Sequence, residues 1–148
     1  MSDPTFDASL LELGQILKRL NEETEAINEQ IRSCERTLVE MNPGFSLSSE
    51  PLYVRANESA EAGPGVDFLF GKIQDAWGLW LRRGKFQKSD NGWKYVHGSD
   101  SKVLPLIDGT REERAAAVAK FPALIEDMKR IAQERLTSLE AAKKRGIR

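Results

Sequence analysis

One cysteine and one histidine are all that this 148-residue chain offers as thiol and imidazole. A structural zinc site takes about four such ligands, so none is built from this chain alone. A lone Cys34 also rules out a disulfide within the chain, which fits a reducing compartment. No apolar run approaches the roughly 20 residues of a membrane span, so no membrane association is expected. The opening MSDPTFDASL lacks a basic region followed by an apolar core, which argues against a secretory signal. Charge of one sign is lacking too: 22 Lys and Arg meet 23 Asp and Glu, for a net −1. With no global pull towards nucleic acid or membrane, any electrostatic argument has to be local. These absences point to a cytoplasmic protein of one domain spanning 1–148.

Against this background the run Val66 to Arg83, VDFLFGKIQDAWGLWLRR, stands out as the most apolar in the chain and carries two of the three tryptophans. A break at Gln74-Asp75 separates two segments rich in aromatic and branched residues, which predicts a β-hairpin. The pairing then sets Lys72 against Trp77, Phe70 against Leu79 and Phe68 against Leu81 on one face. The other face sets Gly71 against Gly78, Leu69 against Trp80 and Asp67 against Arg82, a favourable opposite-charge pair. Gly71 opposite Gly78 leaves a bare spot that a ring or a ligand could fill.

Before the hairpin, Leu10, Leu13, Leu17, Leu20, Thr24, Ile27, Ile31, Cys34, Leu38 and Met41 alternate at +3 and +4 without a slip. This is a heptad seam with Thr24 its only polar member. After a loose lead-in over 1–6, it predicts one long helix over 7–41, stopped by Asn42-Pro43-Gly44. The seam shoulders lack the Glu/Lys lacing of an autonomous zipper. The simplest partner is therefore another helix of the same chain, with a second copy for any surplus.

Ser-rich 45–50 is expected as a connector, Leu52 to Arg55 as a short strand, and Ala56 to Gly65 as mobile loop. Beyond the hairpin, Gly84 invites a bend or bulge. Asn91-Gly92 then predicts a tight turn into Trp93–His97, completing a three- or four-stranded meander over 52–97. Val103 to Ile107 contains Pro105 and reads as an edge or a docked loop. Thr110-Arg111-Glu112-Glu113 is a capping box that opens a helical region over 110–145. Phe121-Pro122 predicts a kink or restart within it. Ile125, Met128, Ala132, Leu136, Leu139 and Ala142 form its apolar stripe.

The fold expected is α+β: a long N-terminal helix and a C-terminal helix packed antiparallel, with the small antiparallel meander inserted between them. Helix one has more seam than helix two can cover, which points to a homodimer through the remainder.

Chemistry finds little purchase. No nucleophile motif accompanies His97, and Cys34 falls in the seam as a small buried hydrophobe. Gly63-Pro64-Gly65 lacks the strand and helix context of a phosphate loop. The glutamates of helix one read as a solvated face. No catalytic, cofactor or metal assignment follows, and an enzyme is not expected. The candidate partner-binding surface is the aromatic–basic set Trp80, Arg82, Arg83, Lys85, Phe86, Lys88, Trp93, Lys94 and Tyr95. Residues 76–102 hold six Lys/Arg against two Asp. The first reading of these rings is satellite core under a loop or helix, with Arg and Lys reaching out at the sheet edge. Basic side chains interleaved with rings also suit a protein partner, or single-stranded nucleic acid through phosphates and base faces. An interaction or adaptor protein is the first expectation, and a nucleic-acid-associated regulator the second.

Overall fold

The computed structural model describes residues 3–55, 60–98 and 101–146. Helix α1 spans Pro4–Met41. It starts where the Asp3 carboxylate accepts the Thr5 amide at 2.9 Å, with Pro4 in the first turn, where its missing N–H is harmless. It stops where Asn42 turns left-handed at φ 51° and donates its N–H back to Leu38 and Val39. At about 1.5 Å per residue the helix is roughly 57 Å long.

Six strands follow among the described residues: β1 (Leu47–Ser48), β2 (Tyr53–Val54), β3 (Ala62–Ile73), β4 (Ala76–Ser89), β5 (Gly92–Val96) and β6 (Lys102–Pro105). The long β3–β4 hairpin is the spine of one antiparallel sheet. β1 and β2 both pair with β3, while β5 and β6 both pair with β4. The register is the expected one, from Lys72 opposite Trp77 through Asp67 opposite Arg82. Gln74 and Asp75 carry φ of 51° and 63°, the positive values a two-residue hairpin turn needs to match strand twist.

Several elements depart from the sequence reading. Pairing runs unbroken through Gly65 opposite Gly84, so there is no bulge there. β3 begins at Ala62, inside the stretch expected to be loop; residues 56–59 of that stretch lie outside the described residues. Pro64 is tolerated because its carbonyl still serves, accepting the Arg55 amide at 2.7 Å. β1 forms within the expected Ser-rich connector. Pro105 ends β6 on the sheet edge, as expected of a proline strand.

A short 3-10 turn, Leu106–Asp108, leads into α2, Arg111–Lys144. The capping box is complete: Thr110 Oγ1 accepts the Glu113 amide at 3.1 Å, and Glu113 Oε1 accepts the Thr110 amide at 2.8 Å. One helix continues through Pro122, so the expected restart is absent. Pro122 stands on the exposed side, where a missing hydrogen bond is least damaging.

The core lies between one sheet face and both helices. Val66, Phe68, Phe70, Leu79 and Leu81 meet Ile31 and Leu38 of α1 and Ala117, Phe121, Leu124 and Met128 of α2. Phe121 sets its edge on Phe68 with ring centroids 5.6 Å apart.

The helix contacts advance together along the two helices. Arg111 donates to Asn21 at 3.0 Å, Arg114 donates to Asn28, and Arg135 lies 4.7 Å above the Phe45 ring just past α1. The helices therefore run the same way over this overlap, in place of the antiparallel packing expected. The cause is the connector before α2, which returns the chain beside the middle of α1. Each helix then has a free half, and the two halves extend from opposite ends of the overlap. In α1, Leu10, Leu13, Leu17 and Leu20 are 41–49% exposed, while Ile31 and Leu38 are buried. In α2, Leu136 and Leu139 are exposed in the same way.

Candidate functional site

Strand alternation puts Trp80, Arg82, Phe86, Lys88, Trp93 and Tyr95 on the sheet face away from the helices. Trp93 and Tyr95 lie directly opposite Lys88 and Phe86. Arg83, Lys85 and Lys94 fall on the other face by the same parity, beside the six and not among them.

Much of the aromatic face is engaged internally. Arg82 gives two hydrogen bonds to Asp67, at 2.9 and 2.6 Å, and a third to Ser48 at 3.2 Å. Its guanidinium also lies 3.8 Å from the centre of the Tyr95 ring, a cation–π contact. Asp67 is almost wholly buried, and that burial pushes its carboxyl up against the opposing pull of Arg82. Phe86 has no exposed surface. It lies over Gly65, where an added Cβ would sit 2.8 Å from the Phe86 ring, and it meets Tyr95 edge-on. Tyr95 covers Gly84 in the same manner and carries the exposed His97 on its own edge. Trp80 is half-buried and donates its indole N–H to the Gly71 carbonyl at 3.1 Å. The space at Gly71 is taken by Ser46 and Leu69, and that at Gly78 by Glu35 of α1, so the spot is filled by the close approach of neighbouring side chains.

Arg83 reaches across to α2 and grips Glu113 through two hydrogen bonds, at 2.9 and 2.6 Å. These bonds hold the Glu113 carboxyl below the usual carboxylate range, with the Thr110 cap reinforcing them against burial. Lys85, Lys88 and Lys94 are exposed, while Trp93 and Tyr95 are half-buried.

One polar contact between helix and sheet escaped sequence reasoning. Glu35 of α1 accepts the Leu79 amide at 2.7 Å and tethers the helix to β4. A contact 44 residues apart in sequence leaves no local signal.

The larger apolar feature lies between the helices, on their outer side. Residues 26–41 of α1 and 118–132 of α2 line an open groove of about 1210 Å³, with Phe45 near one end. Cys34 is half-buried in it, and burial, with help from the Glu35 charge, pushes its thiol up. A raised thiol is less nucleophilic at neutral pH, so this environment suits packing better than reactivity. Among the described residues, no group of three or more His, Cys, Asp or Glu side chains is placed to hold a metal ion. No helix among them is long and apolar enough to cross a membrane.

Comparison adds no relative: no protein-family model matches the chain, and neither a curated protein nor a solved structure is similar to it. What the arrangement can do rests on its surfaces, an unpaired helical seam and an apolar groove beside a largely self-satisfied sheet.

Proposed function

We propose that this protein is a non-enzymatic interaction or adaptor protein that self-associates through α1. In this reading the sheet and α2 form the rigid body that holds α1 in place and offers a recognition surface to a further protein. The observation that carries the reading is the free half of α1. Phe6, Leu10, Leu11, Leu13, Ile16, Leu17 and Leu20 expose 41–68% of their surface along one helix segment. Scattered surface leucines are ordinary, but a contiguous seam in heptad spacing marks a contact site. The seam shoulders here are Asp7, Ser9, Gly14, Ile16 and Asn21, so Asp7 is the one charged shoulder over this stretch.

For the second surface, Trp93, Lys88 and the outer edge of Tyr95 are what the sheet offers to a partner. The nucleic-acid alternative has less support, because Arg82 and Arg83 are held by Asp67 and Glu113, leaving lysines to meet phosphate. Titration with a single-stranded oligonucleotide at low salt separates the two readings.

The deciding experiment is light scattering on the intact chain and on Leu13→Glu/Leu17→Glu. The expected result is a dimer that the double substitution converts to a monomer with unchanged thermal unfolding of the core. A wild-type monomer at high concentration overturns the proposal.

A further inference from the structure

We infer that the free half of α1 seats in the α1–α2 groove of a second copy, and that the second copy returns the contact. The inference rests on the self-association proposed above and specifies its geometry. Three observations point to this occupant.

The first is length. Phe6 to Leu20 covers about 21 Å, and the groove wall from Ala26 to Met41 about 22 Å, at about 1.5 Å per residue. The second is charge. Residues 3–12 carry Asp3, Asp7 and Glu12 and no Lys or Arg, whereas residues 128–136, at the far end of the groove, carry Lys129, Arg130 and Arg135 against Glu134. An antiparallel approach of the two α1 helices brings Asp3 and Asp7 of one copy towards Lys129 and Arg135 of the other. The third is continuity. Leu13 and Leu20 share their heptad position with the groove residues Cys34 and Met41, so the apolar edge of the free half runs on into the groove.

The antiparallel, reciprocal arrangement closes with two copies. A two-fold axis near Glu23 lets each copy fill the other's groove once, whereas a parallel insertion leaves one groove open in any pair and continues into a ring or a filament. Closure sets Leu13 level with Cys34 of the other copy. Within one chain these two residues stand about 31 Å apart on the same helix, at about 1.5 Å per residue, so only an intermolecular link can join them.

That level pairing gives the test. Leu13→Cys is treated with a short bismaleimide in the presence of native Cys34, and in parallel as Leu13→Cys/Cys34→Ser, with sedimentation recording the mass of each. The expected result is a covalent dimer from Leu13→Cys alone, lost at least tenfold in the Cys34→Ser background. Equal crosslinking in both backgrounds means that the free halves meet each other directly, and overturns groove docking while leaving self-association standing. A dimer by sedimentation with no crosslink in either also overturns the docking geometry. A monomer in every sample overturns both the geometry and the self-association beneath it.

Discussion

Arg83 of β4 and Glu113 of α2 form a two-bond ion pair, at 2.9 and 2.6 Å, through the same carboxylate that closes the helix capping box. One side chain thus fixes both where α2 starts and how it sits against the sheet. Glu113→Ala removes the reciprocal half of the box and the ion pair together, while the residue-113 backbone amide still donates to Thr110. The expected loss is about 1–2 kcal/mol, shared between the lost side-chain bond to the Thr110 amide and a partly exposed pair. Urea unfolding of the variant beside wild type measures it.

The same pair sets an acid limb. Because the Glu113 pKa is lowered in the fold, its stabilising contribution is complete above the ordinary value of 4.5 and is lost as pH falls through the lower folded value. Glu113→Gln should therefore flatten the acid limb of stability below about pH 4.5. An unchanged limb would separate the pair from acid unfolding.

Asp67 and Arg82 behave in the opposite sense. Burial raises the Asp67 pKa above 3.8, so its contribution is present below that value and is lost as pH rises through the folded one. Arg82→Met leaves a buried carboxylate uncompensated and should cost about 3–5 kcal/mol at neutral pH. At about pH 3.5 the deficit should be smaller than at neutral pH, because a raised folded pKa favours the neutral carboxyl as pH falls. Chemical unfolding at the two pH values provides the comparison.

Two glycines should respond in opposite directions. At Gly65 an added Cβ would stand 2.7 Å from the Tyr53 carbonyl and 2.8 Å from the Phe86 ring. The carbonyl is backbone and cannot swing aside, so Gly65→Ala should destabilise by about 1–3 kcal/mol. At Gly14 nothing lies within 4 Å, and Gly14→Ala should strengthen the free half of α1 by about 1 kcal/mol of helix propensity. Thermal unfolding reads the first change, and circular dichroism of the helix signal reads the second.

Local pattern made some of this legible in advance, and non-local geometry hid the rest. The β3–β4 register and the Asp67–Arg82 pair follow from a period of two and a turn centre, both of which are written in adjacent residues. The heptad from Leu10 to Met41 likewise announces a helix and its apolar edge. Periodicity names that edge but not what covers it: Ile31 and Leu38 are buried while Leu10 to Leu20 are open. Helix direction depended on where the connector before α2 delivers the chain, and no residue pattern encodes that. Alternation puts the aromatics on one face, and satellite core is the first reading of them; the pattern does not show which rings are covered. Gly65 and Gly84 leave the room that lets Phe86 and Tyr95 lie down on the sheet instead of standing out from it.

The account turns on residues 10–20 of α1 being covered by another molecule in solution. Amide hydrogen exchange across that segment, followed over a dilution series, reads the coverage directly. Protection that is strong at high concentration and falls on dilution is the result expected. Rapid exchange at every concentration, beside a protected core at Ile31 and Leu38, would contradict it.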